Sequence, residues 1–168
     1  NFMVAFSYLK AQAYAIAESQ CRRDAMTRMI FVNLPVIDLP KAMAFYEALG
    51  FANNPQFTDE TAACMVLSET IHVMLLTHAK WKTFTDRPIP DTGSSEVMLC
   101  ISCDNREEVE SFNSTAGRHG GTPDIFPAQD HGFMMSHAFT DPDGHIWEAM
   151  WMDPAVASGE AHAPVAAT

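Results

Sequence analysis

The nonapeptide TDPDGHIWE, residues 140–148, decides how the second half of this chain folds. Within it, Asp141-Pro142-Asp143-Gly144 predicts a tight turn, because Pro presets φ, Asp bonds its own backbone and Gly accepts positive φ. Apolar, aromatic-rich segments flank the turn, 133–139 before it and 146–152 after it, so a β-hairpin is predicted. The hairpin leaves Glu148 as a lone carboxylate within an apolar strand. Such a charge is costly unless it is solvated, paired or bound to a cation, so Glu148 is the first candidate functional residue.

Two copies of one plan, β-α-β-β-β, follow each other from Ile30 onward. Asp38 caps the first predicted helix, and Asp104, with Glu107 in a capping box, begins the second. The predicted strands are 30–36, 54–58, 62–67 and 71–77 in the first copy, and 96–103, 124–127, 133–139 and 145–152 in the second. This duplication predicts one α+β domain at 29–154, made of module one (29–80), a linker and lid (81–95) and module two (96–154).

The composition indicates a globular protein with a large negative charge. Hydrophobic residues make up 48% of the chain, and 10 Lys+Arg against 21 Asp+Glu give a net charge of -11. Such a field repels a phosphate backbone and attracts a cationic small molecule, so we expect no nucleic-acid partner.

The cysteines predict a reducing, cytoplasmic environment. Cys21, Cys64, Cys100 and Cys103 are scattered through apolar segments of a chain of ordinary length, as is typical of free thiols. Cys100 and Cys103 have C-x-x-C spacing, but residues three apart on a strand face opposite sides and cannot chelate together.

The two ends are predicted to lie outside the domain. Residues 1–28 carry an apolar, Ala-rich run without a preceding basic region, and polar residues interrupt it, so neither a secretory signal nor a membrane span is predicted. We expect an extension there, either helical or a cloning remnant. Residues 155–168 are rich in Ala, Pro and Gly and are predicted to be a flexible tail.

With FYEALGF (45–51) after the first strand and DPDGHIWE (141–148) before the last, the plan resembles the vicinal oxygen chelate superfamily. That superfamily includes glyoxalase I, bleomycin-resistance proteins, extradiol dioxygenases and fosfomycin-resistance enzymes. IFVNLPV (30–36) and QDHGFM (129–134) are most similar to an uncharacterised glyoxalase-like bacterial group. The resemblance implies a cupped, half-barrel mixed sheet with helices on the outside, and a homodimer that pairs modules within or between chains.

The resemblance also implies four positions at which metal enzymes of the superfamily hold a divalent ion, which stabilises an enediolate or oxyanion. Strand for strand, these positions carry Phe31, Leu75, Met98 and Glu148. One carboxylate cannot hold Zn²⁺, which needs three or four protein ligands, so we expect no metal cofactor. The alternative is an oxygen-rich site for Mg²⁺ or Mn²⁺ made of Asn33, Glu96 and Glu148.

The alignment predicts an apolar cavity with a few polar side chains in its lining, as is usual for a small-molecule site. Its predicted lining is Phe31, Asn33, Leu75, Thr77, Met98, Cys100 and Met150, with Trp81 from the linker as a stacking surface. His72, three residues from Leu75, is expected to point away. His131 and His137 share parity on their strand and could reach the cavity mouth.

Three functions are compatible with this sequence. The first is a protein that binds a cationic or aromatic small molecule without a metal, like the drug-sequestering relatives. The second is an enzyme in which Glu148, its pKa raised by apolar surroundings, is a general base assisted by His131 or His137. Proton abstraction beside a carbonyl, epimerisation or, with a metal, a glyoxalase-like isomerisation would be its chemistry. The third is a dimer scaffold whose cavity is packed and empty.

Overall fold

The computed structural model describes residues 27–161 of the chain, and from Phe31 onward these form one compact unit. Most of the predicted extension, residues 1–26, and the end of the predicted tail, residues 162–168, lie outside the described part. Two βαβββ modules follow one another, and each builds one open, four-stranded mixed sheet, so the predicted fold class is confirmed. Among the described residues, no helix is long and apolar enough to cross a bilayer.

Module one begins with the strand β1 and the helix α1 and ends with a short helix, α2, on its last strand. Its elements are β1 (Ile30–Val36), α1 (Leu39–Ala48), β2 (Ala52–Asn54), β3 (Ala62–Val66), β4 (Ile71–Thr77) and α2 (His78–Trp81). The strand order is β1-β4-β3-β2, which leaves β1 at one edge of the sheet.

Module two repeats this arrangement after the linker. Its elements are β5 (Met98–Ser102), α3 (Arg106–Arg118), β6 (Gln129–Asp130), β7 (Met134–Thr140), β8 (Ile146–Met152) and α4 (Pro154–Ala157). The order β5-β8-β7-β6 leaves β5 at an edge, paired in parallel with β8. The predicted hairpin is confirmed as β7 and β8, closed by a turn in which Gly144 has φ of 94°.

Two predicted strands are displaced because polar side chains bend the backbone there. The expected strand at 54–58 ends at Asn54, whose side chain caps a 3₁₀ turn at Pro55–Phe57. The expected strand at 124–127 is absent, since Asp124 has φ of 52°, outside the strand region. The pairing strand of that segment, β6, lies a few residues later.

Side-chain caps begin both long helices, one of them a residue later than predicted. Asp38 caps α1 by accepting from the Lys41 N–H at 3.0 Å. Asn105, rather than the expected Asp104, caps α3 by accepting from the Glu108 N–H at 2.8 Å. The Glu108 carboxylate accepts from the backbone N–H of Asp104, so a reciprocal pair forms as in a capping box, shifted by one residue.

The helices and the covered faces of both sheets contribute to a single hydrophobic core. Its fully buried members include Phe45 and Tyr46 from α1, Val109 from α3 and Phe139 from β7. The prediction that Leu75 lines the cavity is wrong. Leu75 pairs with the fully buried Ala63 and is itself fully buried on this covered face, because the side-chain alternation along β4 is one residue out of step with the expected one.

Candidate functional site

The edge strands β1 and β5 expose apolar side chains on the faces that the helices leave uncovered. Phe31 is 48% exposed and Met98 is 53% exposed. Asn33, Cys100 and Ser102 alternate with them and are also exposed. We call these five residues the edge strips. Large apolar groups along unpaired strands are typical of surfaces that bind something.

Glu148 lies next to one of these strips. In the register of β5 and β8 it is paired with Cys100, and Met150 is paired with Ser102. Partial burial, and then the charge and hydrogen bonding of Glu148, raise the pKa of the Cys100 thiol to about 11. The thiol is therefore protonated at neutral pH and is available as a hydrogen-bond donor to the carboxylate.

His72 faces the same side of sheet one as Phe31, and the expectation that it points away is wrong. The two rings stack with centroids 4.7 Å apart, and the Nδ1 of His72 is buried without a hydrogen-bond partner among the described residues. His72 and Glu148 occupy equivalent positions in the two modules. Each lies five residues before the residue that caps a short helix, 72 before Thr77 and 148 before Asp153.

The predicted assistants of Glu148 are not brought to it. His137 pairs with Ala149, so it lies on the opposite face of the sheet from Glu148, where its Nδ1 is 2.9 Å from Asp124 Oδ1. His131 is exposed in the connection between β6 and β7. The prediction for His137 is therefore wrong in its geometry, and nothing in the described contacts joins His131 to Glu148.

Thr77 has a structural role, and its place in a ligand-binding lining stays a prediction. It ends β4 and caps α2, with its Oγ1 accepting from the Lys80 N–H at 3.3 Å.

The metal positions implied by the resemblance do not fit a divalent ion. With His72, the equivalent of Glu148 in module one, at the second position, they carry Phe31, His72, Met98 and Glu148, of which only His72 and Glu148 have ligating atoms suited to such an ion. In the part of the chain that the structure describes, no group of three or more His, Cys, Asp or Glu is placed to hold a metal. The alternative trio is not assembled either. Asn33 and Glu96 line one cavity, whereas Glu148 belongs to the β5–β8 pairing.

That cavity, which we call the cleft, has a volume of about 350 Å³. The end of β1, the helix α2, the linker and the β7–β8 turn surround it. Its apolar wall includes Pro35, Ile37 and Ile89, and its polar groups include Asn33, Trp81, Glu96, Asp143 and His145. Of the residues predicted for a ligand, the cleft brings together Asn33 and Trp81, with Glu96 of the alternative trio.

A buried hydrogen-bonded network supports the cleft from behind. Asp141 Oδ2 accepts from Tyr46 Oη and lies 2.8 Å from His145 Nδ1, and Trp147 Nε1 donates to Tyr46 Oη at 3.1 Å. Burial alone would lower the pKa of His145, but the hydrogen bond and charge of Asp141 outweigh it and raise that pKa. Burial, ahead of the Asp141 charge, raises the pKa of the Asp143 carboxyl despite the N–H of Ile37 that it accepts.

Comparison with known proteins agrees with this fold. Residues 28–68 match the family model described as bleomycin resistance protein-like N-terminal. No curated protein matches the chain. A hypothetical protein from S. aureus is 24% identical, with a TM-score of 0.63 over 77% of this chain and 98% of that one.

Two further solved structures have the same fold. One is a glyoxalase/bleomycin resistance protein/dioxygenase family enzyme from Burkholderia phytofirmans PsJN, 15% identical, with a TM-score of 0.62 over 75% of this chain and 99% of that one. The other is a glyoxalase-related enzyme from Fulvimarina pelagi, 21% identical, with a TM-score of 0.61 over 75% of this chain and 88% of that one.

Proposed function

We propose, from the premise that the chain belongs to the vicinal oxygen chelate superfamily, that it binds a small cationic or aromatic molecule between two copies of itself. The observation that carries this proposal is the half-exposure of Phe31 and Met98 on the edge strands of two different sheets. We place the ligand against the uncovered faces of these sheets and assign the protein no resident metal.

A second copy is the occupant that suits these edges. An edge strand presents unpaired N–H and C=O groups, and another strand satisfies them when it pairs there. Pairing β1 of one copy with β5 of another would bury the apolar edge strips. It would also bring Phe31 and His72 of one copy to the same side as Glu148 of the other.

The chemistry of this combined surface favours a cation with a flat, apolar body. The stacked rings of Phe31 and His72 offer an aromatic face, on which flat groups stack and cations are attracted. Glu148 supplies a negative charge, and the net charge of -11 raises the local concentration of a cation. The free thiols of Cys64, Cys100 and Cys103 support our placement of the protein in the cytoplasm.

The assembly is tested by sedimentation velocity on two matched variants. Phe31→Asp puts a charge into the proposed interface, whereas Phe57→Asp changes another exposed phenylalanine, 61% accessible, outside the edge strips. We expect wild type and Phe57→Asp to be dimers and Phe31→Asp to be a monomer. A monomeric wild type at micromolar concentration would contradict the proposal.

Ligand binding is tested by isothermal titration with bleomycin, the cationic drug named in the matching family description. Glu148→Gln removes the charge beside Cys100, and Glu110→Gln removes an exposed charge from α3 as the control. We expect Glu148→Gln alone to weaken binding by about tenfold, as loss of a charge-assisted contact does. A dimer that binds neither bleomycin nor other aromatic cations would instead be the scaffold considered above.

A catalytic role for Glu148 is the second candidate, favoured by its placement beside a protonated Cys100 thiol. A carboxylate base and a thiol donor on neighbouring strands can remove and return a proton at a carbon beside a carbonyl. Glyoxalase-like isomerisation, assayed with and without added Mn²⁺, Ni²⁺ or Zn²⁺, tests this candidate. Unchanged turnover in Glu148→Gln would remove Glu148 as the base.

A further inference from the structure

We infer that the cleft is a second binding site, for a small, uncharged and mostly apolar molecule that carries a carbonyl oxygen. This site is distinct from the proposed dimer surface, because Asn33 is the one residue of the edge strips that lines the cleft. Its volume of about 350 Å³ is at the small end of the range that ligand pockets occupy. It is therefore large enough for a molecule the size of a substituted benzene.

Part of the cleft lining is apolar. Leu34, Pro35 and Ile37 contribute from the end of β1, and Ile89 and Pro90 contribute from the linker. Displacement of water from such an apolar wall by an apolar ligand is favourable.

Trp81 brings to the cleft lining a hydrogen-bond donor that needs an acceptor. Its indole Nε1 is buried and has no hydrogen-bond partner among the residues that the structure describes, and the residue lines the cleft. A buried donor without a partner is costly, so buried polar groups in native proteins usually have one. An oxygen atom of a ligand in the cleft would complete this group.

His145 also lines the cleft, and its ring is fixed from the core side. Its Nδ1 donates to Asp141 Oδ2 at 2.8 Å, so Nε2 is the ring nitrogen left over, an acceptor in the neutral ring and a donor when the ring is protonated. Asp141 is in turn fixed by Tyr46 and by the backbone N–H groups of Asp143 and His145. The imidazole is therefore held in place before a ligand arrives.

The charges around the cleft exclude an anion as the source of the oxygen. Asp91, Glu96 and Asp143 all line it, and a carboxylate or phosphate ligand would be repelled by them. The Oδ1 of Asp91 is already used by the loop donors Gly93 N–H and Ser94 O–H, and that of Asp143 by Ile37 N–H. A carbonyl oxygen accepts from the Trp81 indole without adding a negative charge.

The experiment uses four probes of one size in ¹H–¹⁵N spectra of the full chain: acetophenone, ethylbenzene, benzoate and benzylamine. Acetophenone is expected to move the Trp81 indole N–H resonance saturably. Ethylbenzene, which lacks the acceptor, is expected to bind about tenfold more weakly, and benzoate is expected not to bind. The Trp147 indole, which donates to Tyr46 in the core, is the internal control and should stay unchanged.

Two variants connect the binding to the cleft. Trp81→Phe keeps an aromatic ring but removes the donor, so acetophenone should bind it no better than ethylbenzene does. Ile89→Trp fills the cleft and leaves the Trp81 indole donor in place, so it should abolish acetophenone binding even if Trp81→Phe fails to fold. Phe31→Asp should still bind acetophenone, which separates this inference from the proposed dimer.

Three results would overturn the inference. They are equal affinities for acetophenone and ethylbenzene, tighter binding of benzoate or benzylamine than of acetophenone, and acetophenone shifts confined to residues outside the cleft.

Discussion

Replacing Tyr46 with Phe should destabilise the domain by about 3 kcal/mol, although it removes a single oxygen atom. The Tyr46 hydroxyl is fully buried between the Asp141 carboxylate, to which it donates at 2.8 Å, and the Trp147 indole, from which it accepts at 3.1 Å. The substitution leaves the aromatic packing intact and deletes both bonds at once.

The magnitude follows from the two groups that lose a partner. A hydrogen bond to a charged group contributes about 1.5–3 kcal/mol, and a buried donor left unsatisfied costs about 1–3 kcal/mol. Trp147 is only 2% exposed, so water cannot readily replace the hydroxyl at its Nε1. Asp141 keeps its contact with His145 and two backbone N–H groups, which limits the total to about 3 kcal/mol.

Urea unfolding followed by circular dichroism measures this loss, with the slope of the transition expected to stay unchanged. In a domain of this size the same loss lowers Tm by about 6–12 °C. Ser114→Ala is the control, because it also deletes a hydroxyl hydrogen bond, to Ser111 O at 3.2 Å, but on the exposed side of α3. It should change stability by less than about 0.5 kcal/mol.

A loss below about 1 kcal/mol in Tyr46→Phe would refute the reasoning, because buried groups left without partners cannot cost so little. Ionisation gives an independent check. Burial, followed by the Asp141 charge, raises the pKa of Tyr46 well above its ordinary value, so this phenol should resist alkaline titration in the folded protein.

The other predictions concern one charge, one pair of neighbours and one cap. Because the pKa of His145 is raised in the folded state, its protonation stabilises the fold fully below the unfolded pKa, and this stabilisation is lost as pH rises through the folded pKa. Wild-type stability, measured by urea unfolding, should therefore decline from about pH 6 to about pH 9, and His145→Gln should flatten that decline. Leu75→Ala should cost about 2–5 kcal/mol and Met74→Ala clearly less in the same assay, since Leu75 is fully buried; equal costs would contradict the assigned faces of β4. Asn105→Ala should lower Tm by an amount equivalent to about 1 kcal/mol, because it removes the side chain that caps α3. Asp104→Ala should change Tm little, because the Asp104 side chain does not cap the helix.

The sequence could predict the modules because their signals are local. The turn at 141–144 and the capping residue Asp38 depend on neighbours a few residues away, and the structure has both where they were expected. The start of α3 shifted by one residue because Asp104 and Asn105 are both good caps, and the side chain of Glu108 decides between the two arrangements.

Which face a strand residue occupies was harder to predict, because a shift of one residue reverses every side chain. All the residues of β4 from Val73 to Leu76 are apolar, so no polar alternation marks the covered side. The strand register, not the sequence, shows that Leu75 is in the core and that His72 is beside Phe31.

The cleft could not be predicted, because Trp81 and His145, which both line it, are far apart in the chain. The sequence places Trp81 in the predicted linker and His145 at the start of the predicted strand 145–152, and no local pattern brings the two together. Asp141 is the local signal for the position of His145, because an aspartate in this turn can also fix the histidine four residues later.

The β7–β8 turn also joins the two modules, and this determines how losses of activity should be interpreted. Asp141 bonds Tyr46 of α1, and Asp143 accepts the N–H of Ile37 at the end of β1. A substitution of Asp141 or Tyr46 therefore disturbs the core, the cleft and the end of β1 together, and a loss of binding in such a variant says nothing about contact with the ligand. Glu148 makes no such bond to module one in the described residues, so Glu148→Gln changes a charge without releasing the turn. Binding lost in Glu148→Gln at unchanged stability is the result that distinguishes a ligand contact from a structural one.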